Sequence, residues 1–339
     1  MSDATDARPR VVVLDEEFRS ALPDLAARHP GLALALASDL DEGALDGVDG
    51  VITQMAPLDA GLVARLGGLR AVLKVGRSYH NIDVDAVRAR GLAFGAVPRK
   101  GPNCVAELAM TFVLALSKDL LVSHESVATG AYRYRGLKPE RSAQWKMAFH
   151  WMRHTTLHEV TGKTLGIVGM GEIGIELARR AQAFGMTTHY TKRTPLSAEL
   201  ERRCGARYRD LDALLAESDY VCLAVPHTDE TEGMIGREQL GRMKESAFLV
   251  NVCRGGVVDE EALVEALQAR RIAGAGLDVF AYEPLPADSA LCSLDNVILT
   301  PHVGGGSGTN RVLELGAALD EMVRLLDGQR PTIDLSTPA

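Results

Sequence analysis

The stretch Thr164-Leu165-Gly166-Ile167-Val168-Gly169-Met170-Gly171-Glu172-Ile173-Gly174 decides the fold. An apolar, partly β-branched run enters a G-x-G-x-x-G turn, and an amphipathic segment, Ile173 to Phe184, follows at once. Taken alone, the glycine pattern is weak. Between a strand and a helix it has a mechanism: Gly169 permits the tight turn, Gly171 lets a pyrophosphate approach the backbone, and Gly174 lets helix and strand pack closely. The start of that helix, at Glu172 and Ile173, offers N–H groups and partial positive charge to phosphates. The alternative is a glycine-rich strand–helix turn that holds no ligand.

Outward from this turn the chain alternates strand and helix, which predicts parallel sheets covered on both faces. Further strands are expected at Thr187–Tyr190, Tyr220–Ala224, Ala247–Asn251, Ala275–Asp278 and Val297–Thr300. A separate alternating run precedes them, with strands at Val11–Leu14, Val51–Thr53 and Ala71–Leu73. A long apolar-periodic segment from Cys104 to about Val127 reads as a single helix joining two domains, and a last helix is expected over Val312–Leu326. The segment from Ala131 to Val160 mixes Tyr, Trp, Arg and Lys without a period, and reads as an excursion from the fold.

Composition narrows the function classes. The 339 residues suggest about two domains, and at 46% hydrophobic and 24% charged they match an ordinary globular protein. A net charge of −8 offers nothing to nucleic acid as an overall field. No apolar stretch approaches the roughly 18 to 20 residues that span a bilayer. The first ten residues lack a hydrophobic signal core. Five scattered cysteines, without a CxxC pair, argue against a disulfide framework or structural zinc and for a reducing, cytoplasmic setting. No metal site is expected.

Three segments carry candidate chemistry: Asn251-Val252-Cys253-Arg254-Gly255-Gly256, Leu277-Asp278-Val279-Phe280 leading to Glu283, and Thr300-Pro301-His302-Val303-Gly304. Each follows a predicted strand, so Arg254, Asp278, Glu283 and His302 fall at the carboxyl ends, where open parallel sheets bind ligands. A 2-oxo acid needs a cation for its carboxylate, a proton donor for its carbonyl oxygen and a hydride at the carbonyl carbon. Arg254 offers a two-pronged contact, and His302 titrates near neutrality unaided. Glu283 would orient His302 and favour its protonated form. Singly, each has a plain alternative: an edge cap, a solvated loop acid, a buried hydrogen-bonded histidine.

With the glycine turn, these motifs closely resemble the D-2-hydroxyacid dehydrogenase family, which includes glyoxylate and hydroxypyruvate reductases, phosphoglycerate dehydrogenases and phosphite dehydrogenases. The resemblance covers nearly the whole chain. It implies two Rossmann-like α/β domains, each with a parallel sheet: a flavodoxin-like substrate domain, residues 1–119 plus 309–339, and a dinucleotide-binding domain, residues 120–308. It implies Arg254, Glu283 and His302 as catalytic residues of an NAD(P)-dependent oxidoreductase. Cofactor contacts are implied at Gly169, Gly171, Glu172, Ile173, Gly174, Val225, Pro226, Thr231, Val252, Cys253 and Gly304, with Asp278 at the nicotinamide carboxamide. It also implies a homodimer formed through the cofactor domain, with part of the 131–160 excursion reaching toward the partner, so that Trp145, Phe149, Trp151 and Met152 line an interface or roof the active site; the alternative is a self-packed surface loop.

Cofactor choice hangs on His189-Tyr190-Thr191-Lys192-Arg193-Thr194, where no acid occurs before Glu199. Lys192, Arg193 and Thr194 suit a ribose 2′-phosphate, so NADP(H) is favoured over NAD(H). On the substrate side, Gly76-Arg77-Ser78-Tyr79-His80-Asn81 resembles the family's carboxylate-binding turn, with Ser78 in place of a glycine and His80 in place of an aspartate. Phosphite-oxidising members carry a lysine matching Arg77 and a methionine matching Met55, and Arg311 also has a counterpart there. Met55, Arg77, Ser78, Arg254 and His302 are therefore the expected substrate contacts, and a dianionic substrate is one expectation. The competing readings are a phosphite or phosphonate dehydrogenase and a nicotinamide-sensing co-repressor. Near the long helix start, Asn103 and Glu107 are expected to be structural, as hinge and cap.

Overall fold

A computed structural model describes residues 8–76, 79–141, 151–306 and 309–336. The chain packs into two compact units, Met1–Gly101 with Gly306–Ala339, and Pro102–Gly305.

The first unit is a five-stranded parallel sheet of β1 (Arg10–Val13), β2 (Ala33–Leu36), β3 (Gly50–Thr53), β4 (Ala71–Val75) and β5 (Ala93–Val97), in the order β2-β1-β3-β4-β5. Its strands alternate faces with period two, as a pleated backbone requires. Val11, Val13, Ile52, Leu73 and Val75 face one core, which the helices Leu22–Arg28 and Thr309–Leu326 cover. Val12, Val51 and Val72 face the other, under Ala60–Arg65 and Val84–Ala89. Fully burying such a Val, Leu or Ile contributes about 1.5–3 kcal/mol, and a one-residue slip would turn every one of them to the wrong face. The order reverses between β1 and β3, which places the unit's natural ligand crevice beyond their carboxyl ends.

The second unit holds seven parallel strands: β6 (Thr164–Val168), β7 (Thr187–Thr191), β8 (Ala206–Tyr208), β9 (Tyr220–Leu223), β10 (Phe248–Asn251), β11 (Gly274–Leu277) and β12 (Val297–Leu299). Their order is β12-β11-β10-β9-β6-β7-β8, with the reversal between β6 and β9. Leu165 and Ile167 of β6 face one core while Val168 faces the other. Helix Gly101–Ser117, which the boundary expected after residue 119 assigned to the first domain, packs with this unit: a Cβ on Gly276 of β11 would lie 2.6 Å from the Phe112 ring.

The single long helix expected to run to Val127 is two helices, Gly101–Ser117 and Leu120–Ala128. Asp119 takes the left-handed conformation (φ 47°), which aspartate tolerates better than most residues, and accepts the Thr156 hydroxyl at 2.9 Å. Glu107 is not a cap; it bonds the Arg180 guanidinium at 3.0 Å, tying this helix to Glu172–Ala183. Among the described residues, no helix is long and apolar enough to cross a membrane.

Candidate active site

The glycine turn follows β6 and opens the helix Glu172–Ala183. Gly169 has φ 100°, and a Cβ there would sit 2.5 Å from the Ala224 carbonyl oxygen. A Cβ on Gly174 would sit 2.5 Å from the Gly169 carbonyl oxygen, so the helix meets the strand closely. Gly171 is different: among the described residues nothing lies within 4 Å of its would-be Cβ, and no side chain caps the helix there. Open space over an uncapped N-terminus fits a dinucleotide pyrophosphate.

Other expected cofactor residues gather at the same end of the sheet. Lys192 is half-buried and Arg193 and Thr194 are exposed, directly after β7. The Arg193 charge helps hold Glu230 below the ordinary carboxylate range, behind the larger effect of the Thr228 hydroxyl bonded to it. Beyond β9, Val225 and Pro226 lead into a turn closed by Thr231, whose hydroxyl donates to the Pro226 carbonyl at 2.7 Å and accepts the Thr228 N–H at 2.8 Å. Val252 and Cys253 are buried. Burial pushes the Cys253 thiol up to about 11, so it packs as a neutral group.

The Arg254 turn is set by Asn251, the last residue of β10, which is buried. Its Nδ2 donates to the Arg254 carbonyl and its Oδ1 accepts the Cys253 N–H, both at 3.1 Å. Gly255 then passes so close to the next loop that a Cβ would lie 1.9 Å from the Phe280 carbonyl oxygen. This packs the arginine-bearing turn onto the backbone that leads to Glu283.

Glu283 accepts His302 Nδ1 at 2.6 Å and the Phe280 N–H at 3.1 Å. Burial alone would raise its carboxyl, yet the bonds from His302 and Phe280, with the charges of His302 and Arg254, hold it below the ordinary range. Arg254 therefore acts electrically on Glu283. Beside it opens a recess of about 610 Å³, with an apolar wall that includes Phe280, Pro284, Leu285, Leu299 and Pro301.

His302 stands in a left-handed backbone (φ 55°), a strained position that its neighbours must hold. Asp278, 1% exposed, does this. Its Oδ1 accepts the Thr300 hydroxyl at 2.5 Å and the Val303 N–H at 2.8 Å, its Oδ2 accepts the Gly304 N–H at 2.8 Å, and its carbonyl accepts the His302 N–H at 2.9 Å. Sequence reasoning gave Asp278 a cofactor contact and missed this anchoring duty; it gave Asn251 and Thr300 no role. Their only signal was a polar residue at the very end of an apolar strand.

In the first unit Met55 is exposed after β3. Arg311 lies on a surface helix, its guanidinium 3.7 Å from Glu17. Arg77, Ser78, Trp145 and Phe149 lie outside the described residues.

Residues 111–304 match the model of the D-isomer specific 2-hydroxyacid dehydrogenase NAD binding domain. The chain is 41% identical over 317 residues to glyoxylate/hydroxypyruvate reductase B of Cronobacter sakazakii, covering 93% of this chain and 90% of that protein. Among solved structures it resembles a protein of Thermus thermophilus, with a TM-score of 0.63, 33% identity, and 96% and 99% of the two chains covered. A glyoxylate reductase from Paecilomyes thermophila superposes with a TM-score of 0.68 at 28% identity, covering 97% and 98%.

Proposed function

The chain belongs to the D-isomer specific 2-hydroxyacid dehydrogenases, NAD(P)-dependent oxidoreductases acting on a CH–OH group, and on that premise we propose that it reduces small 2-oxo acids, glyoxylate and hydroxypyruvate first among them. The observation that carries this reading is the Glu283–His302 pair at 2.6 Å, on a loop packed against the Arg254 turn.

Each residue has a separate task. Arg254 holds the carboxylate of the acid through two parallel N–H bonds and draws charge from its carbonyl. His302, protonated, gives its Nε2 proton to the carbonyl oxygen as charge develops there. Glu283 fixes the ring through Nδ1 and stabilises the imidazolium before transfer. When bound, the reduced nicotinamide supplies the hydride. Gly169, Gly171 and Gly174 would hold its pyrophosphate and Asp278 its carboxamide; Asp278 has spent three acceptor positions on the His302 turn and keeps lone-pair capacity for one more donor. Lys192, Arg193 and Thr194 would take a 2′-phosphate, so NADPH is the preferred reductant and NADH the slower one. Met55, Arg77 and Ser78 complete the substrate contacts.

Two further parts of the reading follow from the surface. Helix Leu120–Ala128 exposes Leu120, Leu121 and Val127, which supports a homodimer formed through the second unit. The cysteines are all free, as a reducing cytoplasmic setting would keep them. Oxidation of phosphite gains no support from the relatives, which are named for oxo-acid reduction.

Absorbance at 340 nm, followed with NADPH and with NADH against a panel of 2-oxo acids and with phosphite plus oxidised cofactor, tests the assignment. Turnover of glyoxylate or hydroxypyruvate with a lower KM for NADPH is expected. Turnover of phosphite alone, or of nothing, would refute it.

A further inference from the structure

Two loops at the carboxyl end of the second sheet lean on each other. One follows β9 and carries Pro226 and Thr231, expected cofactor contacts; the other is the Arg254 turn after β10. The first is folded on itself, with the Thr231 hydroxyl on the Pro226 carbonyl and the Glu232 N–H on the Thr228 carbonyl at 2.9 Å. The second is fixed at its start by Asn251. Backbone bonds join them further on: the Gly233 N–H donates to the Gly256 carbonyl at 2.8 Å, and the Ile235 N–H to the Val257 carbonyl at 3.1 Å.

Side chains add one more contact between the loops. Nε2 of His227 bonds Oε2 of Glu232, and the pair lies across Gly256, where a Cβ would come 2.6 Å from that Nε2 and 3.1 Å from that Oε2. Both side chains are exposed, so their pairing adds little to folding. Gly256 is not left-handed, so its own backbone does not call for a glycine, the residue that loses most conformational freedom on folding. What the glycine admits is the close seat of the imidazole, which spaces two loops already bonded within themselves. Hydride transfer is sensitive to that spacing, because a shift of about 1 Å between reacting groups can cost on the order of 100-fold in rate.

We propose that His227 and Glu232 are positioning residues: seated on Gly256, they set the Arg254 turn against the cofactor loop and so place the 2-oxo acid for hydride transfer. The inference rests on the reading of Arg254 as the holder of the acid's carboxylate and of the loop after β9 as a cofactor contact.

Gly256→Ala tests it, because the atoms nearest the new methyl are the far ends of the His227 and Glu232 side chains, which can turn away without moving backbone. It should lower kcat/KM for hydroxypyruvate about ten-fold, while the NADPH dissociation constant, read by fluorescence without the acid, stays within about two-fold and the melting temperature holds. A merely structural role would lower the melting temperature and NADPH affinity as well, and that pattern overturns the proposal. In a His227→Ala background, itself about ten-fold slower, the methyl meets no imidazole and should add less than about two-fold. Equal effects of the methyl in both backgrounds, or an unchanged kcat/KM in Gly256→Ala, also overturn it. Should Gly256→Ala fail to fold, His227 is tested alone. Glutamine, which still has an N–H for Glu232, should stay within about three-fold of the parent while alanine loses about ten-fold, and equal rates in the two variants overturn the proposal. If the unsubstituted chain reduces no 2-oxo acid at all, the reductase reading itself has failed, a result distinct from any of these.

Discussion

Replacing Asp278 with asparagine should slow turnover without unfolding the protein. The carboxylate takes Thr300 Oγ1 and the Val303 N–H on one oxygen and the Gly304 N–H on the other, at 2.5, 2.8 and 2.8 Å. An amide keeps one oxygen, so at best it retains the first two bonds and presents its NH2 to the Gly304 N–H. One charge-assisted bond, worth about 1.5–3 kcal/mol, is then lost and two donors are opposed. The turn has a use for that energy: His302 sits at φ 55°, which costs an L-residue roughly 1–2 kcal/mol. With the anchor weakened, the turn relaxes and carries the imidazole off its bond to Glu283. If the whole loss appears in the transition state, kcat at saturating NADPH falls about 10- to 100-fold. Thr300→Val also removes one bond to the carboxylate, but it opposes no donors and leaves Oδ1 its bond from Val303, so it should cost less, about ten-fold or under, roughly the 1.5 kcal/mol at the foot of that range. Steady-state rates at 340 nm, with melting curves to confirm folding, make the comparison. A folded Asp278→Asn variant that keeps kcat within about two-fold would refute the anchoring argument, as would a Thr300→Val variant slower than it.

Two other outcomes follow from the same geometry. Glu283 lies below its ordinary value of 4.5, so the stability its pair contributes is complete above that value and is lost as pH falls through the lower folded one; the melting-temperature gap between the parent and Glu283→Gln should be steady near neutrality and close in acid. Gly255→Ala puts a methyl 1.9 Å from the Phe280 carbonyl oxygen, and backbone must move; kcat/KM should drop on the order of 100-fold or more as Arg254 leaves its place, with a lower melting temperature.

The cofactor turn was legible because its chemistry is local. Three glycines, a preceding apolar strand and a following helix are contiguous in sequence, and β6 occupies the expected residues Thr164–Val168. The strands that sequence reading passed over are β2, β5 and β8, and all three are sheet edges. β2 and β8 bury little, and β2 and β5 are rich in alanine (Ala33-Leu34-Ala35-Leu36, Ala93-Phe94-Gly95-Ala96-Val97), so none shows a clear period; the partner across the sheet decides the conformation. The break at Asp119 was hidden for a similar reason, since its stabilising contact comes from Thr156.

The same distinction runs through the site. Arg254, Glu283 and His302, the reacting groups proposed above, stood out as candidates because a reacting group in such a sheet must stand beyond a strand's carboxyl end, a position that sequence reveals. Asp278 could not be read as an anchor, because an anchor is defined by what it bonds, and its partners on the next turn become neighbours only after folding; Asn251 bonds its own turn, at Cys253 and Arg254. Each is a buried acid or amide aimed at the backbone of a loop that carries an exposed side chain. A reaction that needs a proton donor, a cation and a shaped wall held to within a fraction of an ångström requires such fixed supports. Loops alone do not provide them, so the rate should be more sensitive to these two buried residues than their distance from the chemistry would suggest.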